Sequence, residues 1–408
     1  MRFKQFLAES KNVHMEHIEE LIFNEGVDGT RKAINFLRDI RDTLAGNATR
    51  PTNFTVKWDG APAIFAGIDP KDNKFFVAKK GIFNQNPQLF KTPREIDSDP
   101  KYPNDLKEPF KIALAELKKM GIRGVVQGDF MFGPGDVNKE DIDGESFVTF
   151  QPNTIVYAAP VGSELARQFT SAKIGIVWHT TYTGRSLDKM KASFGKGIAN
   201  KMRKNRNVWV DDATYRDHSG TVSFTKQETA KITEILSNSG KLFQTIQASV
   251  MNKIADDETL NGRMKVYNNS MIKMGSQINF KSAVPGLIDS LETFFQKEVD
   301  KVKTEKSKQA KTEIMNQVVG YVKNNKEQIS KIYQLMGLLT EAKQMIIDKL
   351  NKGSSLRTML RTAYGFKVTD EEGYVAIDKL NNGAVKLVNR VEFSRANFSP
   401  DIIKGWER

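Results

Sequence analysis

Lys57 closes the run Phe54-Thr55-Val56, and the turn Trp58-Asp59-Gly60 then opens onto a second apolar run, Ala61-Pro62-Ala63-Ile64-Phe65. A lysine at the end of a β-branched run sits half in a core and half in a cleft. There its amine can lose a proton and act as a nucleophile. Further along, Lys79 and Lys80 end the run Lys74-Phe75-Phe76-Val77-Ala78, while Asp129 and Glu372 stand alone in apolar stretches and Lys386 lies in the last one. A charge on an apolar strand is expensive to bury unless it is paired or bound to a metal. These residue types are the ones that transfer of a nucleotide onto an amine demands. The lysine must be deprotonated near neutral pH by desolvation or neighbouring cations. Cations must meet the charge developing on the α-phosphate, and carboxylates must hold a divalent metal and the ribose hydroxyls. Singly, each position reads as an ordinary strand-edge or solvent-face residue; the chemistry rests on their occurring together.

The elements that must position them fall into four stretches. Residues 1–49 comprise a leader and two helical patterns: residues 14–25 with Ile18, Leu21 and Ile22 on one face, and residues 30–45 with Ile34, Leu37, Ile40 and Leu44, stopped by Gly46. His14 and His17 are read as partly exposed side chains beside Glu16 and Glu19 rather than as ligands. Residues 50–185 change to strands and turns. A hairpin loop at 69–73 separates the two runs after Lys57, an amphipathic helix spans 104–120, and strands follow at 124–132, 147–159 and 173–183. Residues 186–368 read as helical throughout. Their stripes at Leu287, Leu291, Phe294, Phe295, Val299 and Val302, and at Ile329, Ile332, Leu335, Met336, Leu339, Met345 and Ile346, predict a bundle core. Residues 369–408 return to strands, with Asn381-Asn382-Gly383 marking a hairpin. The helical block is thus expected to be an insertion within one sheet domain, its two ends close in space.

Composition narrows the function. The chain has 408 residues, too many for one compact core. It has no cysteine and only four histidines, which excludes disulfides and thiolate chemistry and argues against a zinc enzyme. No apolar run approaches the roughly 20 residues of a membrane span, and the first residues lack the apolar core of a secretory leader. The formal net charge is +13, and its placement is uneven: residues 186–370 hold 31 basic against 19 acidic side chains, whereas 1–185 and 371–408 are nearly balanced. Lys297, Lys301, Lys303, Lys306, Lys308 and Lys311 form a dense run, echoed by Lys196, Lys201, Arg203, Lys204 and Arg206. Such a block is expected to meet phosphates.

In their order, these stretches resemble the motifs of the covalent nucleotidyltransferase superfamily, most closely the ATP-dependent RNA ligases of tailed bacteriophages, over residues 50–185 and 369–408. Lys57-Trp58-Asp59-Gly60 is similar to the Lys-x-Asp-Gly motif, which implies that Lys57 takes AMP with Asp59 and Gly60 in the nucleotide site. Lys79-Lys80-Gly81 resembles the basic motif that follows, with Lys80 the better placed of the two for a phosphate or ribose contact. Gln127-Gly128-Asp129-Phe130 is similar to the third motif, although Asp129 stands where the family has glutamate. Glu372-Gly373-Tyr374-Val375 resembles the metal-associated fourth motif. Val385-Lys386-Leu387-Val388 resembles the fifth, whose first lysine touches the α-phosphate. Val388 replaces its second lysine, for which Arg390 or Lys379 are the nearest substitutes.

The resemblance implies an α/β (α+β) antiparallel-sheet domain of ligase type with a large all-helical insertion. Only 22 residues follow Lys386, which leaves no room for a C-terminal OB domain. It further implies ATP and Mg²⁺ (or Mn²⁺) as cofactors, Glu372 and Asp59 as metal-associated carboxylates, and RNA more than DNA as the partner of residues 186–368. The implied reaction joins 5′-phosphate and 3′-hydroxyl ends. Its alternatives are a nucleotidylating transferase that stops after transfer, or a degenerate ligase fold kept as a nucleic-acid-binding or virion protein. Leu7-Ala8-Glu9 resembles the cleavage sequence of capsid-targeting leaders, which implies a place in the host cytoplasm or the virion interior; the plainer reading of residues 1–10 is a frayed helix start.

Overall fold

A computed structural model describes residues 16–48, 52–100, 104–194, 197–214, 222–274, 278, 282–352, 356–377 and 384–405. A short strand β1 (Glu16–His17) leads through one 3₁₀ turn into helix α1 (Leu21–Leu44), which is kinked at Gly26. Strands β2 (Asn53–Val56), β3 (Ala63–Ile68) and β4 (Phe75–Ala78) precede helices α2 (Pro93–Asp97) and α3 (Asn104–Leu117). Then come β5 (Val125–Phe132), β6 (Asn138–Ile142), β7 (Glu145–Phe150), β8 (Ile155–Pro160), α4 (Glu164–Ser171), β9 (Ile174–Thr183), β10 (Lys191–Phe194) and β11 (Val208–Asp212). Six helices follow: α5 (Lys226–Gln244), α6 (Ala248–Asp256), α7 (Glu258–Lys273), α8 (Ala283–Asp300), α9 (Glu305–Asn324) and α10 (Lys326–Asn351). The chain returns to strands in β12 (Arg357–Thr362), β13 (Gly365–Val368), β14 (Tyr374–Ile377) and β15 (Ala384–Leu387), then to helix α11 (Arg390–Phe398).

The strands make three sheets. The first has the order β1-β15-β14-β2, the second β10-β9-β5-β3-β4 with β11 also on β9, and the third β13-β12-β8-β7-β6. Pairing is antiparallel except for β1 on β15 and β11 on β9. The molecule is therefore a mixed α/β protein with antiparallel-rich sheets and a helical region at 226–351.

Two expectations change. The stretch 186–368 is not helical throughout, because β10, β11, β12 and β13 fall inside it; β11 and β12 complete the second and third sheets. The N-terminal helix is not separate from the bundle either. Ile22 and Leu37 of α1, Ile232 and Leu236 of α5, and Ile332 and Leu339 of α10 share one core, which also takes in Tyr374 and Leu387 of the first sheet. The apolar stripes predicted for the bundle do form its interior: Leu287, Leu291 and Phe295 are buried, as are Ile329, Ile332 and Leu335. His14, Lys196, Lys379, the turn 381–383 and the leader lie outside the described residues.

Where bundle and first sheet meet, a polar cluster is enclosed. Glu19, after β1, pairs with Lys343 of α10 at 2.6 Å, and both side chains are only 2% exposed. Burial pushes Glu19 up, but the Lys343 ammonium and His17 outweigh it and hold the carboxyl below its ordinary value. Glu20 pairs with Arg390 of α11 at 2.6 Å. His17 is driven down to about 3, chiefly by burial, with Arg390, Lys343 and Lys386 adding repulsion against the opposing pull of Glu19.

Two outcomes follow from this cluster. Lys343→Met should destabilise the fold by about 3–5 kcal/mol in urea titrations, because it leaves the Glu19 charge buried alone; adding Glu19→Gln should recover part of that loss. His17 binds its proton more weakly folded than unfolded, so stability should fall as pH drops from 6.5 towards 3. The contribution of this one group is up to about 1.4 kcal/mol per pH unit. His17→Gln should flatten that slope in urea midpoints measured across the same range.

Candidate active site

Thr55 and Val56 favour extended backbone, and β2 carries them to the edge of the first sheet beside β14, with Val56 opposite Tyr374. The Lys57 backbone N–H then donates to the Gly373 carbonyl at 2.8 Å, and the Val56 N–H donates to the Ala213 carbonyl at 2.6 Å. Both neighbours hold the chain at the point where the lysine leaves the sheet. The following turn is fixed to the third sheet. Trp58 packs on Tyr157 at 5.0 Å between ring centroids, and the Asp59 N–H donates to the Tyr157 hydroxyl at 2.8 Å.

The Asp59 carboxylate accepts hydrogen bonds from Asn153 Nδ2 (2.6 Å) and from the backbone N–H groups of Thr154 (2.6 Å) and Ile155 (2.8 Å). Burial raises its pKa, while those donors pull the other way. One carboxylate oxygen thus takes two donors and the other takes one. Asp59 is engaged as the anchor of the 153–155 turn, with three of its roughly four acceptor sites taken by protein donors and one left on Oδ1. Gly60 is where β5 passes closest. A Cβ there would lie 2.6 Å from Asp129 Cβ and 3.0 Å from both Met131 Sδ and the Phe130 carbonyl oxygen.

Four more of the predicted residues gather around Lys57. Its ammonium is in direct ion-pair contact with Glu372 Oε1; the lysine side chain is 30% exposed and the glutamate 5%. Glu372 Oε2 is buried and has no hydrogen-bond partner among the described residues. Burial pushes the Glu372 carboxyl up to about 7 against the pull of Lys57, with Asp59 and Asp129 adding to the rise. Lys386 lies on β15 opposite Val375, and burial followed by the Lys57 charge lowers the pKa of its amine. Asp129 is raised by burial, and the charges of His179, Lys57 and Lys80 reach it. Lys79, the other half of the basic pair, is lowered by burial and feels Asp99 instead. The two adjacent lysines therefore serve different surroundings, and Lys80 is the one near the site.

Lys57, Gly60, Asp129, His179 and Glu372 are among the residues that line a cavity of about 290 Å³ between the first and second sheets; Lys80 and Lys386 do not line it, and only their charges reach Asp129 and Lys57. The cavity is at the small end of ligand pockets, which span about 300–1,000 Å³. No cluster of three histidine or carboxylate side chains suited to a metal is found among the described residues. Glu372, with its free buried oxygen, still fits a hard cation that takes one protein carboxylate and completes its shell with phosphate and water.

His179 was not singled out from the sequence, although a histidine inside Ile174-Gly175-Ile176-Val177-Trp178-His179-Thr180 was a visible signal. It is placed by a β-bulge. Gln127 pairs with Thr180 and Gly128 with Trp178, which leaves His179 as the extra residue of β9. Val388 and Arg390 also find clear places. Gly373, at φ 152°, has Val388 Cγ2 only 2.6 Å from where a Cβ would stand, so Val388 is a packing residue beneath the Glu372 turn. Arg390 is held by Glu20 (2.6 Å) and Asn269 (2.5 Å), away from the role of a second cation at the cavity.

Fold and site together define a mixed α/β protein with a lysine–carboxylate cavity between two sheets. The chain belongs to DUF6267, a family of unknown function, whose model matches residues 12–401. Nothing among curated proteins and nothing among solved structures matches it.

The close approach at Gly60 gives a direct test. Gly60→Ala should cost about 1–3 kcal/mol in denaturant unfolding, because β5 must shift to admit the methyl group. Gly262→Ala, in α7 with no atom within 4 Å of the added carbon, should be neutral or stabilising by up to about 1 kcal/mol.

Proposed function

We propose that this protein is an ATP-dependent polynucleotide ligase of RNA type, with a ligase-type nucleotidyltransferase domain and Lys57 as the residue that carries AMP. The observation that supports it most is the contact between Lys57 and Glu372, with Asp129 on the wall of the same cavity and the charges of Lys80 and Lys386 within reach of Asp129 and Lys57. The Lys57 nitrogen attacks the α-phosphorus of ATP. A nitrogen–phosphorus bond forms, the bond from phosphorus to the bridging oxygen breaks, and pyrophosphate leaves. The Lys57 ammonium must first give a proton to the adjacent Glu372 carboxylate, which frees the lone pair for the attack; the second proton leaves to solvent as the phosphoramidate forms. AMP then passes to a 5′-phosphate end, and a 3′-hydroxyl displaces it.

Lys386 and Lys80 are the cations available to meet charge on the phosphates. A Mg²⁺ or Mn²⁺ ion held at Glu372 would add charge neutralisation there. The polynucleotide is assigned to the basic surface within 186–368, where Lys201, Arg203, Lys204, Arg206, Lys297, Lys303 and Lys306 are exposed. A role in the host cytoplasm or the virion interior belongs to the same reading.

One observation favours a second reading. Val388 is packed under Gly373 and Arg390 is engaged by Glu20, so neither supplies the second cation of the fifth motif, and Lys379 lies outside the described residues. A protein lacking that cation is a nucleotidylating transferase that does not ligate, or a nucleic-acid-binding or virion protein without catalysis.

Incubation with α-labelled ATP and Mg²⁺ should give a covalent protein–AMP adduct that is lost in Lys57→Ala and survives in Lys80→Ala. Sealing of a 5′-phosphorylated RNA by the same preparation separates ligase from transferase. A folded protein that forms no adduct would exclude both enzymes.

A further inference from the structure

His179 is a titratable side chain of the cavity wall with no role in the proposed reaction, and its surroundings are specific. The bulge against Gln127–Gly128 turns it onto the same face as Val177 and Asp129, which are themselves register partners. Its Nε2 lies 3.6 Å from Asp129 Oδ2, and its Nδ1 lies 2.7 Å from Thr180 Oγ1. The two side chains are 27% and 26% exposed, and the cavity they line is open to both.

The hydrogen-bonding state of the ring follows from these contacts. Burial lowers the pKa of His179 despite the Asp129 charge, so the imidazole is neutral near pH 7 and carries one N–H. An imidazole lone pair aimed at a carboxylate oxygen would be repelled by it. The proton therefore sits on Nε2, and Nδ1 accepts from the Thr180 hydroxyl. The cavity wall thus presents a donor beside an acceptor. At 3.6 Å the two are too far apart to satisfy one another. A ligand that offers an acceptor and a donor side by side satisfies both, and adjacent sugar hydroxyls do so.

We infer that His179 is a specificity-determining residue of the nucleotide site, forming with Asp129 a clamp for the vicinal hydroxyls of a ribose. The Nε2–H donates to one hydroxyl and the Asp129 carboxylate accepts from its neighbour. This rests on the nucleotide-binding reading of the cavity and assigns it a sugar. Leaving either partner unpaired in a closed site is what rejects the deoxy compound.

Calorimetric titration with ATP, 2′-deoxy-ATP and 3′-deoxy-ATP tests it on the full chain. The unaltered protein should bind ATP about 10-fold or more tightly than at least one deoxy analogue. His179→Phe, which keeps a ring but no donor, should bring that ratio to within about 2-fold. His179→Gln, whose amide restores a donor, should recover most of it. Thermal unfolding of both variants establishes that they are folded. ATP binding with undiminished discrimination in folded His179→Phe would overturn the clamp while leaving the nucleotide site intact. No binding of any of the three nucleotides by the unaltered protein would overturn the nucleotide reading and the clamp with it.

Discussion

A carboxylate that has lost nearly all its water must be matched by a cation, and the rest of this architecture serves that pairing. Glu372 is buried beside the Lys57 ammonium, and neither residue could be held there by local sequence. The pair exists because the Lys57 N–H is bonded to the carbonyl of Gly373, the residue after the glutamate. Gly373 in turn has no side chain because Val388 fills the space beneath it. Removing any member of this series leaves a desolvated charge without its partner, which is a far larger penalty than the loss of one surface ion pair. The same packing explains why the position after Leu387 is apolar: a lysine there would have to displace the contact that seats the Glu372 turn.

The third sheet and the bundle act on this pair from two sides. Tyr157 and the 153–155 turn fix Trp58 and Asp59, so the backbone after Lys57 is held on that side as well as by the bonds before it. On the other side, Glu19, Lys343, Glu20 and Arg390 tie the strand that flanks β15 to the helices α10 and α11. The helical region is therefore not an appendage. Its last long helix shares a core with Tyr374 and Leu387, within two residues of Glu372 and next to Lys386. Anything that reorients those helices has a short physical route to the cavity, through packed side chains and two ion pairs.

Much of this was visible in the residues. Lys57, Asp129, Glu372 and Lys386 announced themselves as charges in or beside apolar runs; Asp129 and Lys386 lie on strands, while Lys57 follows β2 and Glu372 precedes β14. The hairpin partners β14 and β15, and the loop between β3 and β4, were legible from the apolar runs as well. What stayed hidden depends on partners that the local sequence does not name. The orientation of His179 is set by a bulge, and a bulge is a property of two strands in register. The engagement of Asp59 comes from donors some 95 positions away. The strands β10 to β13 are four to six residues long and lie next to the long helical pattern of 226–351, which masked their place in the sheets. The union of α1 with the bundle was equally invisible, since an amphipathic stripe shows that a helix is covered and not by what.

The first sheet is assembled from residues 16–17, 53–56, 374–377 and 384–387. Every pairing of β14 and β15 with β1 or β2 closes a loop of more than 300 residues, so this sheet rests on contacts between distant parts of the chain. Contacts of such separation are entropically late and slow to form. On a ribosome, Lys57 emerges long before its counter-charge exists, and the second sheet and the bundle can condense first. Assembly of the Lys57–Glu372 pair is thereby tied to completion of synthesis: a chain truncated before residue 372 can hold ordered helices and sheets and still own an amine without its counter-charge.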